Sequence, residues 1–179
     1  MYGGVVAGVT VSLAINGPQN TGHGVDTLTA IEGVIGTYYD DVLTGNDAAN
    51  RLDGDPGNDR VSGGGGDDLI DGGPGVDILT GGLGADTFVM NDFNGDTITD
   101  FGAGDRLFFQ GLQTSMSFSA GVLSIGTASL SLTGLNNVSL AVSRFFDGSA
   151  AIAIGGPPLI TAATSVLAAS SAADPFGLG

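Results

Sequence analysis

GTYYDDVLT (36–44), GNDAANRLD (45–53), GDPGNDRVS (54–62), GGGGDDLID (63–71), GGPGVDILT (72–80) and GGLGADTFV (81–89) stand end to end in this chain. The first position is Gly in all six units. The sixth is Asp or Asn: Asp41, Asn50, Asp59, Asp68, Asp77, Asp86. The eighth is apolar: Leu43, Leu52, Val61, Ile70, Leu79, Phe88. Each unit therefore has two halves. Its Gly-, Asp- and Asn-rich part makes a turn, because Gly adopts positive φ without steric cost. Its x-apolar-x end holds a very short strand with one side chain pointing inward. Two units close a coil of eighteen residues, and stacked coils give two parallel sheets around a single file of apolar side chains. The period predicts an all-β solenoid, a β-helix or β-roll of six nonapeptide units.

Such a core is thin. One medium-sized apolar side chain for every nine ordered residues is too little burial to offset the backbone entropy lost on folding. The composition points to what else stabilises it. Acidic residues outnumber basic ones 19 to 4, for a net charge of -15, and there is no Lys. All the acids but Glu32 are Asp, a residue of turns and of hard-cation sites. Between residues 36 and 89 there are eleven Asp against Arg51 and Arg60. Ca²⁺ takes six to eight oxygens from carboxylates and backbone carbonyls, and a Gly-rich turn ending in Asp offers both. With coils eighteen residues apart, the sixth positions pair as Asp41/Asp59, Asn50/Asp68, Asp59/Asp77 and Asp68/Asp86, giving four expected sites. Asp59/Asp77 is the best formed, between turns that keep Gly54, Gly57, Gly72 and Gly75. The Asn50 site is the weakest, because a neutral amide replaces a carboxylate. Gly63, Gly65, Gly81 and Gly84 complete the turn residues expected at the ions. Asp100 and Asp105, in DFGAGD just after the array, either complete a further cation site or cap a turn. Calcium is the expected cofactor. Without it, like charges crowd together and the array is expected to be unfolded, so that binding is folding.

Around the array the signals are weaker. Val9, Val11, Leu13 and Ile15 alternate with polar or small residues and predict a strand ended by Gly17-Pro18. TGHGVDTLT (21–29) reads as one displaced copy of the unit, with Asp26 at its sixth place. After the array, Asn94-Gly95 suits a hairpin turn and residues 97–99 a short strand. Alternating apolar residues from 115 to 154, broken at Gly121, Gly126, Gly134 and Gly148, predict short antiparallel strands that cap the roll. The Ala/Ser-rich tail reads as a marginal helix or a disordered segment. These divisions give a lead-in cap (1–35), the roll (36–89), a C-terminal β cap (90–156) and the tail (157–179).

Several function classes are excluded or disfavoured. A strongly acidic chain offers no basic face to nucleic acid or anionic membrane, and no stretch is apolar enough to span a bilayer. There is no Cys, no Lys nucleophile, no H-E-x-x-H and no G-x-S-x-G. The lone His23 sits beside Gly and is read as incidental. Tyr38-Tyr39, Phe108-Phe109 and Phe145-Phe146 are read as core or cap packing. No catalytic constellation is present, and the chain is expected not to be an enzyme.

GDPGNDRVS, GGPGVDILT and GGLGADTFV resemble the GGxGxDxUx nonapeptide of the RTX, or haemolysin-type calcium-binding, family. TLTAIEGVIGTYYDDVLTGN resembles the lead-in of serralysin-type C-terminal domains, and GADTFVMND with DTITDFGAGDRLFF the segment that follows their roll. The resemblance covers residues 9 to 110. It implies a right-handed parallel β-roll with Ca²⁺ between successive turns, the sixth-position side chains as ligands and turn carbonyls supplying the rest. It also implies a bacterial protein exported by type I secretion through an uncleaved C-terminal signal, unfolded inside the cell and folded by calcium outside. Two expectations for function follow. One is a secreted calcium-dependent structural module, either part of a larger exported protein or a small self-assembling surface or matrix protein. The alternative is an adhesin or glycan-binding module, or the non-catalytic domain of a hydrolase. With 35 residues ahead of the array, no separate catalytic domain is expected within them. Strand edges at both ends of the roll are expected to be exposed and to permit head-to-tail homo-polymers.

Overall fold

The computed structural model describes residues 7–22, 24–92, 95–109, 116–119, 121–125, 128–133, 140–144, 150–154 and 165–167. His23, Asn94, Gly126, Gly134, Gly148, Phe145-Phe146 and nearly all of the tail lie outside them. The described secondary structure is all β. Strand β1 (Thr10–Ser12) leads into a hairpin of β2 (Pro18–Asn20) and β3 (Val25–Thr27), followed by β4 (Gly33–Ile35). The array supplies β5 (Val42–Thr44), β6 (Arg51–Asp53), β7 (Arg60–Gly65), β8 (Leu69–Asp71), β9 (Ile78–Leu83) and β10 (Thr87–Val89). After it come β11 (Thr97–Ile98), β12 (Arg106–Phe109), β13 (Met116–Ser119), β14 (Val122–Ile125) and β15 (Ala128–Leu132). The last strands are β16 (Leu140–Arg144), β17 (Ala150–Ile154) and β18 (Ser165–Leu167).

Odd and even units separate into two sheets, as a coil of two units requires. One sheet runs β1-β5-β7-β9-β11 in parallel and continues through β15, β14, β13 and β18. The other runs β4-β6-β8-β10-β12 in parallel and continues through β17 and β16. Within the array the register is eighteen residues: Leu43 faces Val61 and Val61 faces Leu79, while Leu52 faces Ile70. Those eighth-position side chains are all fully buried between the sheets. The roll is longer than the repeat. In the lead-in, Val11 stacks on Leu43 and Val34 on Leu52. At the far end Ile98 stacks on Leu79 and Leu107 on Phe88. The core therefore extends past the six repeat residues to Met90, Phe101, Phe109, Leu123, Leu130 and Leu132, with the Phe88 and Phe101 rings 6.1 Å apart.

Four expectations are corrected. Residues 21–29 are not a displaced repeat: β2 and β3 pair antiparallel, and Asp26 is exposed. The first strand stops at Ser12, short of the Ile15 and Gly17-Pro18 end expected for it, and Pro18 opens β2, where an edge strand tolerates its missing N–H. Tyr38 and Tyr39 lie exposed on a turn and are not packed in the core. The C-terminal edge of the roll is not free. β15 pairs parallel with β11 and β17 antiparallel with β12, so that among the described residues only β1 and β4 remain as roll edges. The antiparallel cap itself matches the alternation seen from residue 115 onward.

Position two of the unit explains one local feature. Gly64, Gly73 and Gly82 occupy it with φ of +104°, +84° and +102°, and Asp55 holds the same place at +63°. An L side chain in the left-handed region costs about 1–2 kcal/mol, partly offset by the lower chain entropy of the unfolded non-Gly form. Asp55→Gly is expected to stabilise the calcium-loaded roll by about 0.5–1 kcal/mol, read as a raised midpoint in urea at fixed calcium. A lowered midpoint would mean that the Asp55 side chain contributes more than its backbone strain costs.

Candidate metal centre

The turns place the sixth-position side chains in two files, one along each edge of the roll. In each file the carboxylate of one coil reaches back to the preceding coil. The Asp41 N–H donates to Asp59 Oδ1 at 2.7 Å, Asn50 N–H to Asp68 Oδ1 at 2.7 Å, Asp59 N–H to Asp77 Oδ1 at 2.8 Å, and Asp68 N–H to Asp86 Oδ1 at 2.9 Å. The four sequence-predicted pairs are thus brought together. They are also buried: Asp41, Asn50, Asp59, Asp68, Asp77 and Asp86 are at most 4% exposed.

The second oxygen of each carboxylate has different surroundings. Oδ2 of Asp59, Asp68, Asp77 and Asp86 is buried with no hydrogen-bond partner. A buried carboxylate oxygen left unpaired is costly. The first-position glycines show what that oxygen faces. A Cβ at Gly54 would collide with both Asp59 Oδ2 and the Gly72 carbonyl oxygen, and one at Gly63 with Asp68 Oδ2 and the Gly81 carbonyl. Each cradle thus gathers a carboxylate oxygen and a carbonyl oxygen from the next coil where a side chain would otherwise sit. Among the described residues no three His, Cys, Asp or Glu side chains converge on one point. An ion between coils would therefore complete its shell with backbone carbonyls, an oxygen set that suits calcium and not a soft metal. Gly57, Gly75 and Gly84 press on carbonyls of the coil before them, those of Tyr39, Gly57 and Gly66. Gly65 has only ordinary contacts with Asp47, and Gly66 holds the fourth place in its unit.

Charge follows from this burial. Loss of solvent pushes the Asp59 carboxyl up to about 7, with Asp77, Asp41 and Asp40 adding repulsion and the Asp41 N–H opposing it. Burial likewise raises Asp68 to about 6, against the Asn50 N–H and with repulsion from Asp86 and Asp67. Asp77 and Asp86 are raised for the same reason. A divalent cation would remove this penalty.

The file ends differ from its middle. Both Asp41 oxygens are engaged, Oδ1 by the Val9 N–H at 2.6 Å and Oδ2 by the Thr37 N–H. Asn50 accepts the Asn46 N–H at 2.7 Å through Oδ1 and leaves Nδ2, a donor, unpaired where its neighbours have an oxygen. Asp100 accepts from Gly81 and Gly82 N–H groups at 2.9 and 2.8 Å, so both its oxygens cap the last Gly turn. Asp105 accepts from Asp86 N–H at 3.0 Å and from Gly102 N–H at 2.7 Å.

Two features escaped the sequence reading. Asp96 is 1% exposed and accepts the Asp77 N–H at 2.9 Å, continuing one file. Its signal was the triplet Asp-x-apolar, present in Asp96-Thr97-Ile98 and Asp105-Arg106-Leu107 as in Asp77-Ile78-Leu79, but ten residues after Asp86 instead of nine. In addition, fifth-position side chains form an outer ladder in the opposite sense: Asp40 Oδ1 accepts the Asn58 N–H at 2.8 Å, and Asn58 Oδ1 accepts the Val76 N–H at 3.0 Å.

Comparison with known proteins finds the same nine-residue repeat. A family model described as RTX calcium-binding nonapeptide repeat (4 copies) matches residues 34–61 and 53–88. No curated protein matches the chain. Among solved structures, the AlgE6R3 subunit of the Azotobacter vinelandii mannuronan C5-epimerase is 33% identical, with a TM-score of 0.42, over 68% of this chain and 66% of that one. Residues 34–88 are a run of RTX calcium-binding nonapeptide repeats, folded here as stacked parallel coils.

Proposed function

We propose that this chain is a calcium-folded structural module of an exported protein, with no catalytic role of its own. The carrying observation is the row of buried, unpartnered Oδ2 atoms of Asp59, Asp68, Asp77 and Asp86. An apo fold would leave several carboxylates desolvated side by side, whereas ions between the coils give each one a cation to coordinate. Two files of ions at the coil edges make the roll conditional on calcium. Such a segment stays unfolded where calcium is scarce and folds outside the cell, which suits export through a narrow channel and accords with the secreted proteins in which such repeats are found. No helix of the described residues is long and apolar enough to cross a membrane. Type I secretion, a place on the cell surface and assembly into homo-polymers belong to the same reading. With β11 and β12 already paired, a head-to-tail polymer would have to join the β1 and β4 edges to the antiparallel cap. A two-ended stack of bare rolls is not available.

The test is far-UV circular dichroism of the whole chain during a calcium titration from metal-free protein. A cooperative coil-to-β transition is expected, with a midpoint of about 10⁻⁴ to 10⁻³ M, the range of extracellular modules. A β spectrum indifferent to calcium would overturn the proposal.

A further inference from the structure

The file of unpartnered oxygens does not end where the nonapeptide repeat ends. Asp96 Oδ2 is buried without a hydrogen-bond partner, as Asp59 Oδ2 and Asp77 Oδ2 are on the same edge. The backbone holds it there firmly. The Thr97 N–H donates to the Asp77 carbonyl at 2.8 Å on one side, and the Asp96 carbonyl accepts the Ser131 N–H at 2.9 Å on the other. On the opposite edge the equivalent place is Asp105, whose Oδ2 accepts the Gly102 N–H. Both edges carry an Asp at this level, but only one presents a free oxygen.

We infer that the coils of Asp77 and Asp96 hold a further divalent, calcium-sized cation beyond the last repeat unit, and that the Asp105 edge holds none. On this edge both Asp77 Oδ2 and Asp96 Oδ2 are unpartnered, whereas on the other edge Asp86 Oδ2 is unpartnered but Asp105 Oδ2 is taken by the Gly102 N–H. Asp71 and Asp92 lie close enough to add negative potential. The one-residue insertion between Asp86 and Asp96 shifts the sequence phase and removes the Gly pattern, yet the parallel register of Thr97 on Ile78 restores the geometry. The cation would join the repeat array to the strand that docks the C-terminal cap, since Asp96 accepts from Asp77, the residue before β9, and from Ser131 in β15. This inference rests on the calcium reading of the array.

Calcium stoichiometry, measured by isothermal titration on the full chain, separates the two. The Asp96→Asn chain is expected to bind one ion fewer than the wild type, with the midpoint of the remaining transition changed less than about threefold. Asp105→Asn is expected to keep the full number. Equal stoichiometry for wild type and Asp96→Asn would overturn the further site while leaving the array intact. No binding by the wild type would overturn both. Should Asp96→Asn not fold in calcium, a crystal structure of calcium-loaded wild type decides: density between Asp77 and Asp96 is expected, and its absence beside a filled Asp59/Asp77 position would overturn the inference.

Discussion

Gly54→Ala is expected to lower the stability of the calcium-loaded roll by about 3 kcal/mol, near the upper end of what an added methyl costs in a closely packed site. The residue's φ is not the reason, since Gly54 is not among the glycines with positive φ. The reason is space. The new Cβ would meet Asp59 Oδ2 on one side and the Gly72 carbonyl on the other, so relieving the clash displaces two candidate ligand oxygens or pushes apart two coils. Gly33→Ala is the control. It lies in β4 of the same roll, its Cβ would come no closer than 3.5 Å to the Arg51 carbonyl oxygen, and it should be neutral or slightly stabilising. Urea denaturation at saturating calcium reads the difference directly. Calcium titration adds a second signature, a midpoint moved to higher calcium for Gly54→Ala alone. Equal stability of the two variants would show that the first-position glycine serves turn formation only and that the cradle is not a ligand site.

The contrast between these two glycines also shows what could be read without the structure. The period of nine, the coil of two units and the pairing of Asp59 with Asp77 follow from the sequence because each depends on local steric rules repeated in phase. A turn that packs its first residue against the next coil must have Gly there, whatever surrounds it. Asp96 was not legible for the opposite reason. Its place is fixed by the pairing of β11 with β9 and β15, long-range hydrogen bonds that absorb a one-residue insertion without disturbing the side-chain file. Asp105 was visible, but its role was not, because whether its second oxygen is free depends on a single N–H from Gly102. The hairpin at residues 18–27 shows the reverse error: the composition of TGHGVDTLT fits the unit, but β1 and β4 already fill the positions that a stacked copy would need. Likewise the core looked too small because only the in-phase apolar residues were counted. Phe101, Phe109 and Leu130 close its end from outside the period.

The metal-free chain should become more stable as the pH falls, against the usual behaviour of acidic proteins. Burial raises Asp59 and Asp96 to about 7 and Asp68 to about 6 from an ordinary value of 3.8, and raises Asp71, Asp77 and Asp86 as well. A carboxyl with a raised value in the folded state holds its proton more tightly there than in the unfolded chain. Between about pH 4 and 7 the folded state therefore binds more protons, and linkage makes stability rise on acidification through that window and level off below it. Well above pH 7 Asp59, Asp68 and Asp96 are ionised in both states and their repulsion is present in full. Calcium reverses the dependence, because the ion competes with those same protons. Its apparent affinity should weaken from pH 7 to pH 5 while the fold itself persists. Circular dichroism in metal-free buffer between pH 8 and 4.5 should show β structure growing as the pH is lowered, and a parallel titration should need progressively more calcium to add further signal. If acidification instead unfolds the metal-free chain throughout that range, the buried carboxylates are not what opposes folding. The calcium dependence would then have to come from the turns alone.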